Sequence, residues 1–301
     1  MTTIAIIGQG SMGRAHALAW SDLGLSDDIK YVCAPTPGAP LPGASAARFV
    51  AQLDVVLADD DVDVVSVCTP TPSHPEIAIR ALSAGKSVLL EKPIALTRTD
   101  ALRIADVAGD SPGTFMVAHV VRFFEGYRML REAAQAERFG VLRSVRASRE
   151  TAPPPARWFF DESASGGVLV DFAIHDFDQL NLFLGTPLAA SAIRGGRPGE
   201  IVTTVDYAGG GVGRVVTCAE LPAGSPFSSS LRLEGELGGE TFTYSPTSHD
   251  APYTRQAAYF LDCVNRRVPP ELCPVSAALT ALDVSLAARE SLRTGRSVPI
   301  S

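Results

Sequence analysis

The sequence predicts two domains: a doubly wound α/β domain over residues 1–120, then an α+β domain over 121–301 with a largely antiparallel, open sheet. Three observations lead there. The 301 residues exceed the usual size of one domain, about 150 residues. Up to residue 119, short β-branched runs alternate with helix-like segments, the pattern of a parallel sheet with helices on both faces. Beyond it, strand-like runs follow one another at hairpin spacing.

The first-half strands are expected at Thr3–Ile7, Ile29–Cys33, Val62–Cys68, Ser87–Leu90 and Thr114–Val117. Helices are expected near 11–23, 45–51, 74–84 and 99–108. The Pro/Gly-rich stretch 33–44 reads as a surface loop. In the second half, a helix over about 125–137 leads into the run Leu142–Arg149, and another over about 172–184 ends at Gly185. Strands follow at 189–194, 201–208, 212–219, 229–235 and 240–244, then closing helices over about 254–266 and 275–294.

Composition excludes several classes of function. Apolar residues make up 46% and charged residues 20%, enough apolar material for a large core without disulfide or metal staples. Net charge is −7, with 26 basic against 33 acidic residues. That balance leaves no basic footprint for nucleic acid or an anionic membrane. The cysteines, Cys33, Cys68, Cys218, Cys263 and Cys273, have no paired spacing, and no metal site is expected. The N-terminus lacks the layout of a signal peptide, and no apolar run approaches the roughly 18 residues of a membrane span. A reduced, cytoplasmic compartment is expected.

The first strand runs into Gly8-Gln-Gly10-Ser11-Met12-Gly13 and then a helix. In a dinucleotide-binding Rossmann domain, Gly8 would make the tight turn, Gly10 would admit the pyrophosphate, and Gly13 would let helix and strand approach. The pyrophosphate would rest on N–H groups at the helix start, where Ser11 and Met12 stand. A flexible strand-to-helix turn is the plainer alternative. NAD sites usually place an acid after the second strand. Here that end reads Cys33-Ala34-Pro35-Thr36, without a carboxylate to repel a 2′-phosphate and with a hydroxyl on Thr36 to meet it. NADP(H) is therefore favoured over NAD(H), although no arginine between 34 and 47 is available to clamp the phosphate.

Two further stretches carry chemistry. Glu91 and Lys92 follow a strand, where open α/β sheets place ligands. Asp171 and His175 are four residues apart, on one face of the expected helix. An N-capping aspartate and a packed histidine would explain that spacing equally well.

The segments AIIGQGSMGRAHA, CTPTPSH (68–74), EKP (91–93) and SGGVLVDFAIHDFD (165–178) together resemble the glucose–fructose oxidoreductase/inositol dehydrogenase (Gfo/Idh/MocA) family. DFAIHDFD is most similar to its inositol and sugar dehydrogenase branch. The resemblance implies catalytic roles for Lys92, Asp171 and His175, which would also touch substrate, and a substrate contact at Arg122. It implies that Thr69, Pro70 and His74 form the nucleotide-side loop, although His74 could equally start a helix. Trp158 would wall the nicotinamide or sugar, with plain packing as its alternative.

The implied activity is NAD(P)-dependent oxidation of a CH–OH group of a cyclic polyol or sugar. His175 suits the base, because an unperturbed imidazole has its pKa near neutrality, and Lys92 suits stabilisation of the developing alkoxide. Two alternatives remain: a nicotinamide recycled internally to assist elimination or glycosidic cleavage, and a non-catalytic nucleotide-binding regulator. Strand 201–208 does not separate apolar from polar positions, so both its faces are expected to be buried, one of them in a homo-oligomer, a dimer or tetramer.

Overall fold

The computed structural model describes residues 2–153, 157–244 and 250–300; the side chains of Arg157 and Trp158 lie outside the described part. The chain divides into one unit formed by 1–123 with 251–275 and a second formed by 124–250 with 276–301.

The first unit opens with β1 (Thr3–Ile7), α1 (Ser11–Asp22), β2 (Ile29–Cys33), β3 (Arg48–Val50) and α2 (Leu53–Leu57). It continues with β4 (Val62–Val67), α3 (His74–Ser83), β5 (Ser87–Glu91), α4 (Arg98–Asp110) and β6 (Phe115–Ala118). Among the described residues these strands form one parallel sheet in the order β3-β2-β1-β4-β5-β6. Strand order reverses around β1 and β4, so the crevice where such sheets bind ligands lies beyond their C-terminal ends. Ile4–Ile7 and Val64–Val67 are buried throughout, as parallel strands covered on both faces must be. Trp20 on α1 is fully buried and donates from Nε1 to Ser66 Oγ on β4 at 3.0 Å.

Residues 45–51, expected as a helix, instead lead into β3, which pairs with β2 in the register Tyr31↔Arg48 and Cys33↔Val50. Aromatic and β-branched Phe49 and Val50 suit a strand, and pairing at the sheet edge overrides the helix preference of the preceding alanines. The helix follows at Leu53–Leu57.

The second unit begins with α5 (Glu125–Gln135) and β7 (Leu142–Glu150), then α6 (Glu162–Ser165), α7 (Val168–Asp171) and α8 (Ile174–Leu184). Then come β8 (Pro187–Arg194), β9 (Glu200–Tyr207), β10 (Val212–Cys218), β11 (Ser228–Gly235) and β12 (Gly238–Tyr244). After α9 (Pro252–Arg266), the chain closes with α10 (Val275–Thr294) and β13 (Val298–Pro299). The sheet runs β12-β11-β7-β10-β9-β8-β13, antiparallel except where β10 pairs β7 in parallel. On its helix-covered face Val145, Ala147, Val215, Leu231 and Leu233 are buried. On the other, Arg232, Arg146 and Arg214 stand exposed in register across three strands.

The chain returns to the first unit with α9. Ala257 and Phe260 join the core of Ala17, Trp20, Leu41 and Phe123. The expected single second domain over 121–301 is thereby corrected for 251–275. An amphipathic helix pattern shows that a face must be covered but not by which domain.

Candidate active site

Gly8 has φ +108°, and a Cβ there would lie 2.5 Å from the Cys68 carbonyl oxygen. A Cβ on Gly13 would lie 2.1 Å from the Gly8 carbonyl oxygen. Only glycine fits either place, because β1, α1 and the end of β4 meet there backbone to backbone. Gly10 differs, since a Cβ added to it meets no atom within 4 Å. It is exposed and N-caps α1, a helix with no side-chain cap and no acidic residue in its first turn. An open approach to uncapped N–H groups at the positive end of a helix fits a pyrophosphate. After β2, Pro35 and Thr36 are exposed, and the Gly38 N–H donates to Gln9 Oε1 at 2.9 Å.

Lys92 is half-buried on the turn leaving β5. The preceding Glu91 is 4% exposed, its Oε2 accepting the Lys92 N–H at 3.2 Å and its Oε1 facing His16 Nε2 at 3.0 Å. Burial pulls the His16 pKa down, but Cys68 and the Glu91 carboxylate outweigh it and push it up to about 10. Burial opposes the Glu91 carboxylate, yet the His16 contacts hold its pKa below the ordinary value. On the other side of the turn, His74 Nδ1 faces the Pro93 carbonyl at 2.8 Å and Nε2 the Thr69 carbonyl at 2.9 Å. Burial, the largest influence on His74, lowers its pKa. The lysine turn is thus fastened to α1 through His16 and to the start of α3 through His74.

In the second unit, Asp171 is the buried last residue of α7, and His175 is half-buried in the first turn of α8. The single helix face expected for the pair is interrupted at Phe172 and Ala173, where the Ala173 N–H reaches back to the Val168 carbonyl at 2.9 Å. Directly after His175, Asp176 accepts from Arg149 Nε at 2.8 Å and Nη2 at 3.0 Å. Burial pushes the Asp176 carboxyl up, against the pull of the Arg149 guanidinium.

The same order of parts is found in known proteins. The family model described as oxidoreductase family, NAD-binding Rossmann fold (GFO/IDH/MocA) matches residues 2–119, and the GFO/IDH/MocA C-terminal domain matches 127–239. This chain belongs to the GFO/IDH/MocA oxidoreductase family. It is 31% identical to inositol 2-dehydrogenase of Rhizobium meliloti over 193 residues, covering 62% of this chain and 56% of that protein. This match therefore spans little more than half of the relative's length. Identity to scyllo-inositol 2-dehydrogenase (NAD(+)) of Bacillus subtilis is 25% over 338 residues, covering 98% of this chain and 95% of that protein. The crystal structure of GenD2 from gentamicin A biosynthesis in complex with NAD has a TM-score of 0.89 at 23% identity. It covers 100% of this chain and 96% of that one, a likeness of fold.

Within this family member, the first unit holds Gly8, Gly10, Ser11, Met12, Gly13, Thr36, Thr69, Pro70, His74, Glu91, Lys92 and Arg122, and the second holds Asp171 and His175. Three expected ligand contacts sit in surroundings that spend them otherwise. The Glu91 carboxylate is engaged by His16 and the Lys92 N–H, and both His74 ring nitrogens face carbonyls. Arg122 is 3% exposed and donates from Nη1 to the Leu272 carbonyl. Trp158, expected beside the nicotinamide or sugar, has its side chain outside the described part. Sequence reading missed His16, Arg149 and Asp176. A signal for His16 exists in RAHALAW, where a histidine interrupts the apolar face of a helix.

No helix among the described residues is long and apolar enough to cross a membrane, and the five cysteines are buried, with no disulfide among the described residues.

Proposed function

We propose that the chain is an NAD(P)-dependent dehydrogenase acting on a CH–OH group of a cyclic polyol or sugar. The observation that carries this reading is Lys92, an amine on the turn leaving β5, in the same unit as the nucleotide turn and with its backbone fastened on both sides. The exposed Gly10–Met12 segment at the start of α1 would hold the pyrophosphate, with Thr69 and Pro70 beside it. When bound, the nicotinamide supplies the hydride acceptor. His175 suits the role of base for the hydroxyl proton, and Lys92 that of a hydrogen-bond donor that stabilises developing negative charge. Asp171 orients His175. Glu91, His74 and Arg122 act as supports.

The substrate class is supported by the names of the Rhizobium meliloti and Bacillus subtilis relatives, both inositol dehydrogenases. Preference for NADP(H) is supported by the absence of a carboxylate after β2, with Thr36 exposed there. The Bacillus subtilis relative and the GenD2 complex, both named with NAD, pull the other way. A homo-oligomer is supported by exposed apolar residues on the second unit's strands, Ile193 at 63% and Val212 at 40%.

The test is to mix purified protein with NADP+ or NAD+ and a panel of inositols, hexoses and aminosugars and follow nicotinamide reduction. Turnover is expected with one class, and it should disappear in Lys92→Ala while cofactor affinity stays within about tenfold. The ratio of kcat/KM for the two cofactors decides the NADP(H) preference. No reduction with either cofactor, despite tight nucleotide binding, would overturn the dehydrogenase reading in favour of a recycled nicotinamide or a regulator.

A further inference from the structure

Arg149 lies on the helix-covered face of β7, 4% exposed, and its bidentate partner Asp176 is 0% exposed. Its guanidinium carbon is 5.7 Å from the centre of the Phe172 ring and 5.6 Å from that of Phe227. Phe172 follows Asp171 in the chain, and Asp176 follows His175. One side chain therefore holds the C-terminal neighbours of Asp171 and His175, the two proposed catalytic residues of the second unit.

That matters because α7 ends at Asp171 and α8 begins at Ile174. Within one continuous helix, residues four apart keep a fixed relation. Across this turn the regular ladder is shifted, with the Phe172 and Ala173 N–H groups both reaching the Val168 carbonyl, so what anchors Phe172 and Asp176 also bears on the directions of Asp171 and His175. We infer that Arg149 is the positioning residue that sets the Asp171–His175 arrangement, through the Asp176 carboxylate on one side and the Phe172 ring on the other. The residue type fits the task. A planar guanidinium with a fixed fork of donors can grip a carboxylate along its edge while stacking on rings with its face, and a lysine ammonium can do neither. Phe227, in the segment before β11, stands beside Phe172, the ring centres 6.3 Å apart, and extends the aromatic surface the guanidinium meets.

The inference rests on the reading that Asp171 and His175 act on the substrate. It is tested with the panel compound oxidised fastest, in Arg149→Lys, His175→Ala, the combination of those two, and the apolar double variant Arg149→Met/Asp176→Leu. Replacing both members of a buried ion pair with apolar residues of similar volume is often neutral for stability. The double variant should therefore keep its melting temperature and lose roughly 10²-fold in kcat, the scale expected when a reacting group is misplaced by about an ångström. KM for the nicotinamide cofactor should stay unchanged.

Arg149→Lys should lower kcat in the same direction, yet lower the residual rate of His175→Ala no further. A folded double variant with wild-type kcat overturns the inference. So does Arg149→Lys reducing the His175→Ala rate by the factor it shows alone. Should the double variant fail to fold, Arg149→Lys decides by the same criteria. Wild-type turnover in His175→Ala would instead remove the reading of the site beneath it.

Discussion

His16 and Glu91 stand 75 positions apart in the chain and meet at 3.0 Å in the core of the first unit, beneath the turn that carries Lys92. A buried ion pair costs desolvation of both partners, and removing one leaves the other uncompensated. His16→Leu is expected to cost about 3–5 kcal/mol at neutral pH, read as a fall in melting temperature. The pH dependence has a definite sign. The His16 pKa is raised from 6.5 to about 10, so its contribution is complete below 6.5 and fades as pH rises toward 10. Glu91 is shifted the other way, so its contribution is present above 4.5 and is lost as pH falls through its lowered value. The gap in melting temperature between wild type and His16→Leu should narrow from pH 6.5 to 10. A constant gap over that range would show that His16 stabilises by packing alone. At this scale, chain-local chemistry was readable and distant pairing was not. The glycines of 8–13 announce themselves by spacing, whereas nothing in the sequence tells that Glu91 answers His16 or that Arg149 answers Asp176.

Strands and helices with a strong local pattern were legible, and elements set by neighbours were not. β1, β2 and β4 follow from short runs rich in β-branched residues without strict alternation, as a strand buried on both faces needs none. β3 escaped because its three residues become a strand only by pairing with β2. The break between α7 and α8 escaped for a related reason, since apolar periodicity continues across it. Element α1 offers a discriminating pair of substitutions. Gly10 sits at φ −73°, ψ −165°, which alanine adopts without strain, and has open space where a Cβ would stand. Gly10→Ala should therefore change stability by less than about 1 kcal/mol while weakening nucleotide binding, as measured by fluorescence titration. Gly13→Ala forces a methyl onto the Gly8 carbonyl and should lower the melting temperature as well. Unimpaired nucleotide binding in Gly10→Ala would remove the pyrophosphate from the start of α1.

The two-part architecture, a parallel sheet followed by a largely antiparallel one, followed from sequence rhythm. The return of 251–275 did not follow, because which core a helix joins is decided by surfaces that exist only once both units have formed. The open sheet bears on assembly. Val202 and Thr204 are half-buried on one face of β9, while Ile201, Thr203 and Val205 are buried on the other. Ile193, in register with Val202, is exposed. Apolar residues of that size on an open sheet favour cover by a second copy. Sedimentation at micromolar concentration is expected to give a dimer or tetramer, and Ile193→Lys to shift it toward monomer. A monomer in the wild type would remove the oligomer.

The chain passes between the units at 123/124, 250/251 and 275/276, and this has a consequence for the order in which the protein comes into being. A ribosome releases the nucleotide turn long before α9, so Trp20 and Ala17 wait for Phe260 and Ala257 while the residues between are made. The second unit's sheet up to β12 emerges before the first unit's core is closed. A core begun at α1 is thus finished only at α9, and a nascent chain halted before α9 would present an incomplete core to whatever chaperone meets it.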